Sequence, residues 1–212
     1  MHQPPSSLVR VLLLAAGLVC SFGAAPAQAQ PRMGPIPADK MTEAQTKAAA
    51  DILRNGEVPG YLWPMLRNPG LARPTQIIGE YLNREGKLPP KLTQMVILIV
   101  SRRLMYNGSW VEHSGMATRA GLSDEIAQAI AAERRPAVMD ADETIVYDMC
   151  DELQKTMTIS DATYARAVGR FGEPGVADTV AIYGFYFYLG LFNNATRLAP
   201  GSTPAFRPPA PR

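Results

Sequence analysis

The sequence predicts an all-α protein with a single folded domain. In several segments, apolar residues recur at the three- and four-residue spacing that places them on one face of a helix. Capping residues precede these segments and glycines follow them, as at helix ends. No stretch alternates strictly between polar and apolar residues, so strands are not favoured. The length of 212 residues favours one domain, at most two.

The N-terminus has the three parts of a secretory signal peptide. Arg10 supplies a positive charge, residues 11–22 form a short apolar run, and residues 27–29 (AQA) have the small-x-small pattern of a cleavage site. The run is shorter than the ~20 residues that span a bilayer. We therefore predict a signal peptide over residues 1–29, cut after Ala29, and a secreted or periplasmic protein.

Two proline-rich segments flank the predicted domain. Residues 30–40 lack periodicity, which predicts a flexible mature N-terminus. Residues 201–212 have a similar composition, which predicts a disordered tail. The helical domain is expected between them, over residues 41–200.

The first helices are predicted from their ends. Thr42 begins a capping box with Gln45, and Asn55-Gly56 ends that helix. Residues 58–70 (VPGYLWPMLRNPG) are rich in proline and predict a loop of short turns. The helix that follows is expected to bury one apolar face, formed by Ile77, Ile78, Tyr81 and Leu82.

A long helix from Leu88-Pro89-Pro90 to about Tyr106 contains the longest apolar stretch. Its apolar stripe is so wide that we predict a central, largely buried helix: Leu92, Met95, Val96, Ile97, Leu98, Ile99 and Val100. Five further helices are predicted after it, within residues 109–120, 123–133, 140–157, 161–172 and 175–198.

The charge pattern argues against two classes of partner. The 21 basic and 19 acidic side chains give a net charge of +2, and no dense basic run is present, so no nucleic-acid partner is expected. Arg102 and Arg103 interrupt the longest apolar stretch after the signal. We therefore expect no membrane partner once the signal peptide is removed.

Cleavage of the signal would leave one histidine, His113, and one cysteine, Cys150. A single imidazole cannot supply the usual three or four ligands of a metal site. A single thiol allows neither an internal disulfide nor two-cysteine redox chemistry. The sequence therefore predicts no metal site and no two-cysteine redox chemistry within one chain.

Four segments, taken in order, resemble a known family. They are PGYLWPMLRNPGLA, LPPKLTQMVILIVSR, NGSWVEHSGMATRAGLSDEI and YGFYFYLGLFNNATRLAP. Together they resemble the carboxymuconolactone decarboxylase family, the wider group that includes the AhpD-type alkylhydroperoxidases. The resemblance covers about residues 57–200. It implies an AhpD-like helical subunit that assembles as a trimer or hexamer and acts on a small molecule.

The redox branch of this family uses a Cys-x-x-Cys pair before the histidine and a glutamate on the preceding helix. The matching positions here are Tyr106, Ser109 and Gln94. Neither Tyr106 nor Ser109 is a thiol, and a glutamine can hydrogen-bond but cannot exchange a proton as a glutamate does. AhpD-like peroxide reduction is thus the least favoured activity, open only through Cys150.

The lyase branch implies decarboxylation of a carboxylated lactone without a cofactor, by general acid/base catalysis. An imidazole suits that role near neutral pH, so His113 is the expected catalytic residue. Trp110 shares a helix face with it at i, i+3 and would shape the pocket. The residues expected to contact the substrate are Trp110, Gln94, Arg102, Arg103 and Tyr61.

Simpler roles exist for the same residues. Trp110 could belong to the core or a subunit interface, and the two arginines could end a solvated helix, where cations are favoured. Gln94 could be an interior hydrogen-bonding residue. The alternative hypothesis is therefore a non-catalytic binding or structural homologue of the family.

Overall fold

The computed structural model describes residues 31–198, which contain seven α-helices, three short 3-10 helices and no β-strand. The α-helices are α1 Glu43–Asp51, α2 Pro69–Arg84, α3 Pro90–Arg103, α4 Asn107–Arg119, α5 Asp124–Ala131, α6 Ala141–Thr156 and α7 Asp161–Thr196. The predicted signal peptide and proline-rich tail lie outside the described residues.

Local signals placed the early elements correctly. The capping box of α1 is confirmed, because Gln45 N donates to Thr42 Oγ1 and Thr42 N donates to Gln45 Oε1. The predicted loop of short turns contains two 3-10 helices, Gly60–Leu62 and Met65–Arg67. Three apolar side chains of this loop are fully buried: Leu62, Met65 and Leu66.

Helix α3 is the centre of the fold, as its wide apolar stripe predicts. Every residue from 92 to 102 is buried, and α3 packs against α4, α5, α6 and α7. The approach of α7 is close near the end of α3, because a Cβ atom on Gly190 would lie only 2.5 Å from Leu104 Cδ1. This contact sets the position of α7 one turn after Tyr186.

The predicted buried face of α2 is wrong for three of its four residues. Leu82 is buried, but Ile77, Ile78 and Tyr81 are 50%, 49% and 43% exposed. Polar residues take the inner face because they find partners there. Gln76 donates to the backbone oxygen of Ile52, and the Thr75 hydroxyl bonds the Tyr188 hydroxyl. An apolar face of α2 therefore remains uncovered.

Helix α7 breaks at Gly172, whose φ of 66° and ψ of 171° are not helical. The break separates the two helices that the sequence predicts at this place. Among the described helices, α7 alone is long and apolar enough to cross a membrane by length and composition. Its core-facing side chains account for that composition, since Ile182, Phe185 and Leu189 are buried within the fold.

Residues 31–40 make defined contacts, whereas the sequence predicts a flexible segment. Arg32 N donates to the backbone oxygen of Thr196 over 2.7 Å, and Arg67 Nη2 donates to the backbone oxygen of Gly34 over 2.8 Å. These bonds hold the segment against the end of α7 and the loop after α1.

Candidate active site

His113 lies on α4 and is buried between α3 and α7. Its Nδ1 atom lies 2.8 Å from Gln94 Oε1, and its Nε2 atom lies 3.1 Å from the Tyr186 hydroxyl. An amide oxygen only accepts, so with this oxygen facing the ring Nδ1 carries the proton. Nε2 is then the lone-pair nitrogen, and the Tyr186 hydroxyl donates to it.

The hydrogen bonds continue from Tyr186 to α2. Asn83 Nδ2 donates to the Tyr186 hydroxyl oxygen over 3.0 Å and to the backbone oxygen of Gly79 over 2.9 Å. The resulting hydrogen-bond chain runs from Asn83 to Tyr186, then to His113, and ends at Gln94. It joins four helices, and each of its hydrogen bonds has an assigned donor and acceptor.

Burial keeps both titratable groups of the chain neutral. The pKa of His113 is lowered to about 4 by desolvation, so the imidazole is uncharged at pH 7. Desolvation also raises the pKa of Tyr186, although the hydrogen bond from Asn83 acts in the opposite direction. The site therefore pairs a neutral base with a neutral phenol.

A cavity of about 240 Å³, here called the His113 cavity, borders the hydrogen-bond chain. His113, Tyr186, Asn83 and Gln94 all line it. Four charged side chains also line it: Arg54, Glu80, Arg84 and Glu112. Arg54 and Glu80 form a loose ion pair of 3.9 Å between partly exposed side chains.

The positions that match the redox cysteines also line this cavity. Tyr106, Ser109 and His113 follow one another at i, i+3 and i+7, and the three share one face of α4. Ser101 Oγ donates to Ser109 Oγ over 2.8 Å. Desolvation, and then the charge of Glu112, raise the pKa of Tyr106, so its phenol is neutral. Two hydroxyls thus stand where the redox branch has thiols.

A second cavity, here called the outer cavity, adjoins the first and measures about 520 Å³. Tyr61, Tyr106 and Glu112 line both cavities. The remaining wall is mostly apolar and includes Trp63, Val111 and Leu198, with Pro31 and Pro35 from the N-terminal segment. A ligand at His113 would therefore have polar contacts at one end and an apolar chamber at the other.

The structure brings three of the six predicted site residues together. His113, Gln94 and Tyr61 line the His113 cavity. Trp110 does not line it. The side chain is 7% exposed and packs in the hydrophobic core, although it lies one turn from His113 on α4.

Arg102 and Arg103 also lie elsewhere, so their predicted role at His113 needs correction. They border a different cavity at the C-terminal end of α3. Eight residues separate Gln94 from Arg102, which corresponds to about 12 Å along a helix. The guanidinium groups at the His113 cavity belong instead to Arg54 and Arg84.

Sequence reasoning missed Tyr186 and Asn83. Tyr186 is 73 positions from His113 and belongs to an aromatic run whose composition is typical of core packing. Asn83 is 103 positions from Tyr186. Asn83 is one of several polar residues on α2, and nothing in the neighbouring sequence identifies its partner.

The described residues form an all-α fold whose cavity has the hydroxyls of Tyr106 and Ser109 at the positions that match the redox cysteines of the resembled family. Within residues 31–198, no group of three or more His, Cys, Asp or Glu side chains is placed to hold a metal ion. No model of a known protein family matches the chain, and no curated protein matches its sequence.

Solved structures share the fold. An uncharacterised peroxidase-related protein from Silicibacter sp. TM1040 aligns with a TM-score of 0.66 at 18% identity, covering 83% of this chain and 95% of that chain. The debrominase Bmp8 aligns in its apo form with a TM-score of 0.60 at 14% identity, covering 80% and 92%. Its complex with 2,3,4-tribromopyrrole aligns with a TM-score of 0.58, also at 14% identity, covering 80% and 91%. At these identities the likeness establishes the AhpD-like fold, as predicted.

Proposed function

We propose that this protein is a cofactor-free decarboxylase of the carboxymuconolactone decarboxylase type, acting on a small carboxylated lactone or related compound. One observation carries the proposal. A neutral phenol, Tyr186, donates a hydrogen bond to a neutral imidazole, His113, at the wall of a 240 Å³ cavity that adjoins the larger outer cavity. This arrangement suits acid/base chemistry that needs no metal and no thiol.

The reaction requires one proton at carbon. When CO₂ leaves, the electron pair of the broken C–C bond stays on the substrate as a dienolate. The Tyr186 O–H turns from His113 towards that carbon and donates its proton, and the Asn83 amide stabilises the phenolate by its hydrogen bond. Water reaching the cavity then returns a proton to the phenolate, so one proton is consumed for each CO₂ released.

His113 has a positioning role in this proposal and acts through Tyr186. Its Nε2 lone pair directs the phenolic hydrogen, and Gln94 fixes the ring tautomer through Nδ1. A glutamine is adequate for this task because the imidazole stays neutral. The departure from the glutamate of the redox branch is therefore compatible with a working site.

The cavity walls support a bipartite substrate. Arg84 forms no ion pair within residues 31–198, so its guanidinium is available to an oxygen of the substrate distant from the reacting carbon. The apolar outer cavity would hold the carbon skeleton and exclude water from it. The expected substrate has a carboxylate at the reacting carbon and a second carbonyl or carboxylate oxygen.

The test is CO₂ release from a panel of carboxylated lactones and unsaturated keto acids by the mature protein. With an accepted substrate, Tyr186→Phe should lower kcat by about 10²–10⁴-fold, the usual contribution of a general acid. Tyr183→Phe is the matched control, because Tyr183 is buried on the same helix and does not line the His113 cavity. Full activity in Tyr186→Phe would refute the mechanism.

A second candidate function is non-catalytic binding. The observation that favours it is that both ring nitrogens of His113 are already occupied by protein partners. In that case a carboxylated lactone would raise the Tm of the protein and be recovered unchanged. Product formation at any rate above the uncatalysed one would eliminate this candidate.

Peroxide reduction has little support in the structure. Cys150 is fully buried, its pKa is raised by desolvation, and it does not line the His113 cavity. A thiol in this state resists conversion to the reactive thiolate. Peroxide reduction that Cys150→Ser removes would revive this activity, and reduction that Cys150→Ser leaves unchanged would exclude a role for the thiol.

We further propose that the protein is exported and forms a homo-oligomer, a trimer or hexamer. The predicted signal peptide supports export, which cell fractionation with and without residues 1–29 would test. The uncovered apolar face of α2 supports self-association, since Ile77, Ile78 and Tyr81 lie together on it. Ile78→Lys should lower the mass measured by light scattering, whereas Val138→Lys, an exposed apolar control, should not.

A further inference from the structure

A third cavity, of about 310 Å³, lies where α3, α5 and α6 end. Basic side chains dominate its wall: Arg102, Arg103, Arg134, Arg135 and Lys155. Two acidic side chains, Glu133 and Asp151, line it as well. It shares no lining residue with the His113 cavity. We propose that this basic cavity is a binding site for a small dianion.

The positive charge of the basic cavity exceeds the partial negative charge of the helix C-termini that border it. Cations are favoured at a helix C-terminus, which carries about half a negative charge. Five basic side chains and two acidic ones line the cavity, and Arg135 is also paired with Asp148, so the excess is two positive charges. Three helix ends would offset about one and a half of them. A net positive potential therefore remains for a ligand.

Arg102 is a preorganised donor at the floor of this cavity. Its Nε donates to the backbone oxygen of Ala131 over 2.6 Å, its Nη1 lies 2.8 Å from Met105 Sδ, and its Nη2 lies 3.2 Å from Glu133 Oε2. The side chain is 8% exposed. A guanidinium has five N–H groups, so two remain for a ligand after these three contacts.

The rim is held by the turn that ends α5. Glu133 has a φ of 54°, in the left-handed region, and its N–H donates to the backbone oxygen of Ile130. Arg134 N donates to the backbone oxygen of Ala129, which completes a Schellman-type turn. Because the Glu133 carboxylate also bonds Arg102, the rim and the floor of the cavity are fixed to each other.

Two of the five cations remain available. Arg135 pairs with Asp148 and covers the Tyr147 ring, and Lys155 pairs with Asp151. Arg103 and Arg134 form no ion pair within residues 31–198, and both are exposed.

The available groups define the ligand chemistry. Two guanidinium forks with no carboxylate partner match a ligand with two anionic oxygen groups, since each fork can bind a carboxylate or phosphate in a bidentate manner. Ile99 and Ile130 offer contact to a short carbon skeleton. The volume suits a small dicarboxylate or a phosphate compound. Both share the dianionic chemistry on which the proposal rests, which is independent of the proposed decarboxylase activity.

Isothermal titration calorimetry with succinate and with inorganic phosphate, at low salt, tests the site. Binding of either probe to the full mature protein is expected, and the stronger one identifies the ligand as a carboxylate or a phosphate. Arg103→Gln and Arg134→Gln should each weaken that binding at least tenfold. Arg119→Gln, at the exposed end of α4, removes the same charge outside the cavity and should leave the affinity unchanged.

Three results would overturn the proposal. The first is no binding of either probe at millimolar concentration. The second is an equal loss of affinity in Arg119→Gln, which would show attraction to net charge alone. The third is an affinity lost in Arg84→Gln but kept in Arg103→Gln, because the anion would then occupy the His113 cavity.

Discussion

The His113 cavity and the basic cavity both border α3, yet they satisfy their polar groups in opposite ways. Around His113, neutral groups form a continuous chain of hydrogen bonds from Asn83 to Gln94. Around Arg102, charged groups line the cavity and not all of their donors are used. The first arrangement suits the movement of a proton, whereas the second suits the binding of a charge. One buried helix thus borders a neutral cavity and a charged cavity a few turns apart.

The largest effect should come from breaking the neutral chain. His113→Asn and Tyr186→Phe should each lower kcat by about 10²–10⁴-fold, and the double variant should lose little more than either single one. The reason is that the imidazole and the phenol act as a unit. Steady-state kinetics of all three variants, with circular dichroism as a check of folding, would measure this. If the losses in kcat multiply in the double variant, His113 and Tyr186 act independently of each other.

Acid should destabilise the fold through the same imidazole. The pKa of His113 is about 4 in the folded protein and about 6.5 in an unfolded chain, so the unfolded state binds the proton more readily. The free energy of unfolding should fall by roughly 3 kcal/mol as the pH drops from about 7.5 to about 4. Urea unfolding across this range would show it. His113→Asn should have a shallower pH dependence, and an identical one would contradict the shift.

Adding a charge to the neutral chain should sharpen the contrast. In Gln94→Glu, a carboxylate would face Nδ1 at the position of the present amide oxygen, 2.8 Å away. An opposite charge at that distance favours imidazolium, so the pKa of His113 should rise by about one unit or more. Titration of the ring resonance by NMR would measure the change. Gln154→Glu, at the basic cavity, is the control that should leave it unaltered.

The smallest effect should distinguish geometry from charge at the basic cavity. Arg103→Lys keeps the positive charge but loses the planar fork, so the affinity for the dianion should fall by only about a few-fold, less than in Arg103→Gln. Raising the salt concentration from about 0.05 M to about 0.5 M should weaken this binding further, because screening acts on exposed charges. The kcat of the His113 site should change little. Calorimetry and kinetics at both salt concentrations would compare the two cavities directly.

The sequence was sufficient where the deciding interaction is local. Thr42 and Gln45 are three residues apart, and the apolar width of α3 follows from its own residues. The same reasoning chose the wrong face of α2, because the partners of Thr75 and Gln76 are Tyr188 and Ile52, which no helical pattern brings together.

The candidate site follows the same rule. His113 and Gln94 were identified from a resemblance that fixes their positions, and Tyr61 from its place in an aromatic loop. Tyr186 lies in an aromatic segment that is typical of a protein core. Only the folded chain shows that its hydroxyl forms a hydrogen bond with His113. Arg102 and Arg103 are predicted to contact the substrate at His113 but border another cavity, because spacing along a helix does not show which neighbour faces each turn.

The close approach of α7 to the end of α3 at Gly190 affects the geometry of the candidate site. A methyl group there would lie 2.5 Å from Leu104, so the two helices can come this close because glycine has no side chain. Tyr186 lies one turn earlier on α7. The 3.1 Å hydrogen bond from its hydroxyl to His113 therefore depends on the distance between the helices near Gly190. A substitution at Gly190 would therefore require Leu104 to change rotamer or the two helices to separate, and separation would lengthen the hydrogen bond between Tyr186 and His113.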